Sequence, residues 1–90
     1  MIKCRIDGKQ ITTRDELHKV ISEGLNFPQW YGKNLDALHD CLTDLAEEAI
    51  IEIADFDDMK AALGDYADSL AQVIKDSAEE NRKIHFMLLQ

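Results

Sequence analysis

Asp36, Asp40 and Asp44 recur at intervals of four residues, with His39 between the first two. On a helix turning about 100° per residue, that spacing stacks three carboxylates on one face. Such an array accepts charge-assisted hydrogen bonds, so it suits a cluster of arginine, lysine or protonated histidine on another protein. Asp36, His39 and Asp40 could also contribute to a divalent-ion site. One helix supplies too few ligands to close it, however, and no second cluster of ligating residues accompanies them, so neither metal nor cofactor is expected. Like charges at this spacing cost an isolated helix about 0.2–0.5 kcal/mol per pair, so helix stability alone would not select three of them. A solvated acidic face is the plain alternative.

Two neighbouring features favour docking. Phe27, Trp30 and Tyr31, half of the six aromatics, fall within five residues that also hold the only proline, Pro28, and the stretch ends in Gly32. Pro28 pushes Phe27 toward extended geometry, and Gly32 permits a positive φ as the chain turns into the helix. Some of these rings must plug the core. Any Trp or Tyr left at the rim is of the type enriched where interfaces are tightest. Charge is the second feature: residues 34–59 carry nine of the eighteen acids and no Lys or Arg, a field of one sign.

The elements that must hold these residues follow from periodicity. Leu35, Leu38, Leu42 and Leu45 form the apolar stripe of the acidic helix, with Cys41 at its margin. Asn34 is a good N-cap for it, and Asp36 lies in the first turn, where the helix dipole favours an anion. Upstream, Ile2, Cys4 and Ile6 alternate with Lys3, Arg5 and Asp7 as a strand that stops at Asp7-Gly8. Thr13 to Glu16 has the form of a capping box, opening a helix whose inner face is Leu17, Val20, Ile21 and Leu25. Downstream, Ile50, Ile51 and Ile53 mark a strand buried on both faces. Phe56, Met59 and Leu63 mark a short helix that Gly64 can end. Leu70, Val73, Ile74 and Ala78 give the last helix its inner face, and Ile84 to Leu89 is a third strand. Strands separated by helical crossovers pair in parallel, so the expected fold is α/β: a three-stranded parallel sheet with about four helices. The acidic helix lies on the first crossover.

Ninety residues make one domain, 1–90, with room to bury a core. With 46% apolar and 31% charged residues the composition is that of a soluble globular protein, and no apolar run approaches the roughly 20 residues of a membrane span. Met1-Ile2-Lys3-Cys4 runs straight into the first strand pattern instead of a signal region. Cys4 and Cys41 lack the spacing of a redox pair or zinc half-site and read as small buried hydrophobes. The reducing cytoplasm is therefore the expected compartment. A net charge of −8 disfavours direct binding of nucleic acid and points to a basic protein partner.

These residues carry a resemblance. Ile6-Asp7-Gly8-Lys9-Gln10-Ile11, Asp15-Glu16-Leu17-His18, the block from Pro28 to Thr43 and Gln72-Val73 are similar to the barstar family, intracellular inhibitors of a secreted bacterial ribonuclease. The match runs over nearly the whole chain, with a short gap between Thr43 and Ala49. It implies a barstar-like fold and a protein that is not an enzyme. It also implies a helix and preceding loop that enter the active site of a basic, barnase-like ribonuclease, with carboxylates in the space of the substrate phosphates. Residue by residue, the resemblance makes Asp40 the carboxylate that meets the catalytic arginines and histidine, with Asp36 beside it. Gly32, Asn34, Leu35 and Thr43 match within the contact block. Trp30 stands where the family has a tyrosine stacking at the rim, and His39 where it has a tryptophan. Asp76 is similar to a family glutamate that makes a peripheral ion pair, and is one methylene shorter. Asp44 and Leu45, at the edge of the gap, carry nothing over.

Beside the resemblance, the residues speak for themselves. A ribonuclease must aim an array of Arg, Lys and His at a phosphate, and carboxylates one turn apart on a stiff helix satisfy those donors without offering a bond to cleave. His39 adds a titratable charge between Asp36 and Asp40, so that in mild acid a protonated imidazole would partly cancel the anionic face. His18 and His85 read as satisfied or tolerated side chains. A free monomer is expected. The competing reading is an interaction module that keeps the barstar fold but binds a different basic protein, because Trp30 and His39 alter positions of contact.

Overall fold

In the computed structural model, which describes residues 1–89, β1 (Ile2–Asp7) leads into a short 3-10 helix (Gly8–Gln10), then α1 (Arg14–Gly24) and α2 (Leu35–Thr43). The chain returns as β2 (Ala49–Ala54), crosses over through α3 (Phe56–Leu63) and α4 (Asp65–Glu80), and ends its described part in β3 (Ile84–Leu89). The three strands pair in parallel in the order β1-β2-β3, so each crossover joins neighbouring strands. Among the described residues this gives four α-helices and one sheet, the α/β architecture that the periodicities require.

Register explains which sheet face is buried. Ile2, Ala49 and Ile84 align, as do Cys4, Ile51 and Phe86, and Ile6, Ile53 and Leu88, and most of these side chains face the helices. The other face carries exposed Lys3, Arg5, His85 and Met87. The central strand β2 is buried on both sides apart from half-buried Ile50, but on its second side it holds an acid, Glu52, with Lys3 Nζ 3.4 Å from its Oε1. Between sheet and helices, Leu17, Ile21, Leu38, Leu42, Met59, Leu70 and Ile74 form a core with no appreciable exposure. Burying a side chain of this size contributes about 1.5–3 kcal/mol, so α2 is held chiefly through Leu38 and Leu42.

Two local expectations change. Thr13 does cap α1, its Oγ1 accepting from Glu16 N–H at 3.1 Å, but Glu16 reaches one residue further back and accepts from the hydroxyl and N–H of Thr12. Those bonds favour its charged form and hold its carboxyl below the usual range. The second change is at Gly8, more than a turn signal: a Cβ there would lie 2.1 Å from the Asp55 carbonyl oxygen, so only glycine lets the 3-10 helix pass the end of β2.

Candidate functional site

The loop before α2 is built by turn chemistry. Tyr31 N–H donates to Pro28 O at 3.0 Å, and Tyr31 and Phe27 pack with ring centroids 5.0 Å apart. Their fates diverge from that of Trp30. Tyr31 is buried and Phe27 half-buried, whereas Trp30 is 81% exposed. Gly32 does not use the positive φ open to it; that conformation falls on Lys33, at φ 53°. A Cβ at Gly32 would sit 3.2 Å from Asn34 Nδ2 and 3.3 Å from Ala37 Cβ, a tight fit against the cap of α2.

Asn34 then caps α2 as expected. Its Oδ1 accepts from Ala37 N–H at 2.8 Å, and its Nδ2 donates to Gly32 O at 3.2 Å, so one side chain ties loop to helix. The helix is shorter than the leucine stripe implies: it ends at Thr43, leaving Asp44 as C-cap and half-buried Leu45 beyond it. The cause is tertiary. Asn81, at the end of α4, donates its Nδ2 to the carbonyls of Leu42 and Leu45, both at 3.0 Å, and takes over two C-terminal acceptors. Lys83 Nζ donates to Ala46 O at 2.7 Å and holds the chain after the turn.

Leu38 and Leu42 point inward, Leu35 is half-buried, and Asp36 and Asp40 are exposed. The Asp40 side chain is 83% exposed. Among the described residues no Lys or Arg lies within ion-pair distance of Asp36, Asp40 or Asp44. His39 leans the other way, its Nε2 hydrogen-bonded to the Glu80 carboxylate of α4 and its Nδ1 3.9 Å from Asp40. Thr43 spends its hydroxyl on the helix, donating to His39 O at 2.9 Å and Asp40 O at 3.2 Å, so it shapes the backbone under Asp40. Asp76, exposed on α4, accepts from Gln72 Nε2 at 2.9 Å. It joins Leu35, Asp36, His39 and Glu80 in lining a groove of about 510 Å3 between α2 and α4. Asp36, His39 and Asp40 do not converge on a point: among the described residues no three His, Cys, Asp or Glu side chains are grouped as metal ligands.

Cys41 departs from expectation. Cys4 is buried, its thiol pushed up to about 11 by that burial, but Cys41 is only half-buried and faces a cleft beside the loop. Its thiol is also raised, by burial first and then by Asp44 and Asp40. Both thiols are free.

Comparison with known proteins settles the family. A family model described as Barstar (barnase inhibitor) matches residues 1–90. The chain belongs to the barstar family. A curated Bacillus subtilis (strain 168) protein named "Putative ribonuclease inhibitor YrdF" is 38% identical over 81 residues, covering 89% of each chain. The barstar family so described is one of inhibitors, not of enzymes.

What the resemblance to barstar did not supply is the support behind the loop. His18 of α1 has no solvent exposure, and its two ring nitrogens are both spent: Nδ1 lies 2.7 Å from the Tyr31 hydroxyl and Nε2 2.7 Å from that of Tyr66 in α4. The Arg14 guanidinium caps the Tyr66 ring at 4.1 Å from its centroid. Burial holds the His18 imidazole below its ordinary range, opposed by Asp15 and helped by Lys33, so the ring is neutral in the fold. The phenol of Tyr31 is pushed upward by burial. Glu80 and Asn81 likewise escaped the sequence reading. Only the apolar neighbours of His18 in α1, Leu17 and Ile21, marked it as inward.

Proposed function

We propose that this barstar-family chain inhibits a basic microbial ribonuclease of the barnase type by laying α2 and the preceding loop over the enzyme's active site. Asp40, with Asp36 one turn before it, takes the place of the RNA phosphates before the enzyme's Arg, Lys and His side chains. Trp30, Gly32, Asn34 and Leu35 form the loop side of the contact, with His39, Thr43 and Asp76 on the helix side. The observation that carries the reading is the state of Asp40: 83% of its side chain is exposed, on a helix pinned by Leu38, Leu42 and the Asn34 cap, with no Lys or Arg of the described chain within ion-pair distance. A carboxylate held on a rigid helix with no Lys or Arg to give up loses little conformational freedom on being gripped, and the basic groups of the partner offset its desolvation. The name of the Bacillus subtilis relative supports the same function.

Two free thiols fit a reducing cytoplasm, where such an inhibitor would guard the cell's own RNA. No helix of the described residues is long and apolar enough to cross a membrane. The test is residual RNA cleavage by a panel of basic microbial ribonucleases mixed with the wild-type protein and with Asp40→Ala. Inhibition that disappears in the folded variant supports the proposal. If the panel is untouched while an unrelated basic protein binds the acidic face, the chain is an interaction module on the barstar fold.

A further inference from the structure

The two edges of the sheet are guarded differently. At the β1 edge Lys3, Arg5 and Asp7 alternate along the strand, the kind of charge that keeps other strands from pairing with it. The β3 edge lacks such a guard: Ile84-His85-Phe86-Met87-Leu88-Leu89 holds no acid, lysine, arginine or proline, and its pairing with β2 runs through all six residues without a bulge. Met87 and Leu88, adjacent on this strand, are both exposed large apolar side chains, at 45% and 46%. They point to opposite faces of the sheet, since Met87 aligns with Glu52 and Leu88 with the core residue Ile53. A partner lying on either face covers one of them, whereas a strand laid along the edge covers both.

The backbone points the same way. Leu89 O accepts from Asp55 N–H and Lys83 O from Ala49 N–H, so the odd-numbered residues of this stretch turn their polar groups toward β2. In a parallel ladder the alternate residues turn away. The N–H and C=O groups of Phe86 and Leu88 are therefore directed outward, where among the described residues no strand stands. Of this outward set, Ile84 N–H finds a local acceptor, Asn81 O at 3.1 Å. Open donors and acceptors two residues apart are what an added antiparallel strand fills.

Charge at the two ends of the edge selects the occupant. Arg82 and Lys83 stand just before β3, and residues 81–89 contain no acid. At the far end Asp55 and Asp57 line a cleft of about 180 Å3 with Phe56, Leu88 and Leu89. Arg82 and Asp57 are exposed, and among the described residues Arg82, Asp55 and Asp57 make no ion pair. A second copy related by a two-fold axis near Phe86 and Met87 runs antiparallel, so its Arg82 arrives beside Asp55 and Asp57 of the first, and the same contact forms again by symmetry. The net charge of −8 per chain opposes association, but at physiological salt that repulsion is screened beyond about 8 Å. We propose that two copies of this chain pair antiparallel through β3, joining their sheets into one. The pairing uses neither α2 nor the loop before it. A six-residue edge buries less than the roughly 1,200 Å2 of a standard stable interface, so the free monomer expected from the sequence gives way to a dimer only at dissociation constants of about 10 μM to 1 mM.

Sedimentation equilibrium and amide hydrogen exchange of the full chain, from about 0.01 to about 1 mM protein at about 0.15 M salt, test the pairing. The expected result is a mass that rises toward the dimer while the Phe86 and Leu88 amides, fast in dilute solution, become protected. The His85 and Met87 amides, directed at β2, should be slow throughout. Leu88→Pro removes an N–H that only the second copy uses, at a place where an edge strand tolerates proline, and should abolish the rise. Arg82→Glu should weaken association at least about fivefold, and adding Asp57→Lys to it, which exchanges the two signs, should restore association. Both of those positions are exposed, so the test stands even if the proline variant fails to fold. A mass that stays monomeric to about 1 mM, with fast exchange at Phe86 and Leu88, overturns the proposal. A dimer that leaves those two amides fast is held by another surface and overturns it too, and one indifferent to Arg82→Glu overturns the antiparallel sense of the pairing.

Discussion

Tyr31→Phe removes one oxygen from the polar cluster around buried His18. In the wild type His18 bridges two phenols at 2.7 Å each, and a neutral imidazole, with one N–H and one bare nitrogen, can donate to one hydroxyl and accept from the other. Phenylalanine leaves His18 Nδ1 facing a ring edge, with no water able to reach a side chain that is 0% exposed. An orphaned buried group of this kind costs about 1–3 kcal/mol. For a domain of this size, 1 kcal/mol moves the melting midpoint by about 4–8 °C, so a mid-range cost of about 2 kcal/mol lowers it by about 10 °C. The same cluster makes a pH prediction. Burial holds the folded-state pKa of His18 below its unfolded value, so in the window beneath about 6.5 the unfolded chain binds the extra proton. Stability contributed by the neutral ring is therefore complete above that window and declines as pH falls through it. Thermal unfolding followed by circular dichroism at pH 7.5 and 5.5 should show wild type losing more stability on acidification than His18→Gln, which cannot titrate. A Tyr31→Phe midpoint within about 2 °C of wild type would refute the assigned cost, and equal acid sensitivity in wild type and His18→Gln would refute the linkage.

Three further outcomes are expected. Asn34→Ala, which loses the 2.8 Å bond to Ala37 N–H, should cost about 1 kcal/mol in urea unfolding, while Asn34→Asp keeps the acceptor and most of the stability. Gly8→Ala should destabilise by about 3 kcal/mol or more, because its Cβ meets the backbone oxygens of Asp55 at 2.1 Å and Ala54 at 2.6 Å, neither of which can turn aside; a soluble variant with wild-type melting would contradict that geometry. Association with an inhibited ribonuclease, measured by stopped flow, should slow as salt rises from about 0.05 to 0.5 M, and slow less in Asp40→Asn.

The sequence by itself determined what depends on neighbours within a few turns. Thr13 and Asn34 announced their helices because an N-cap is a bond spanning three residues, and Leu38 and Leu42 announced the buried face of α2 because a helix repeats every 3.6. The same arithmetic placed Asp36 and Asp40 outward. The alternation of Ile2, Cys4 and Ile6 announced a strand face, and the block around Asp36 carried the family. Periodicity assigns a side chain to a face, however, and says nothing of what stands opposite. Tertiary structure alone brought Tyr66 to His18 across 48 residues, Glu80 to His39 across 41, and Asn81 to the Leu42 carbonyl across 39. Those meetings fixed where α2 stops, which way His39 leans and why Tyr31 is anchored while Trp30 beside it is left in water. They arise because two crossovers fold α1, α2 and α4 onto one face of a parallel sheet, so that residues from both crossovers become neighbours with no local signal to mark them.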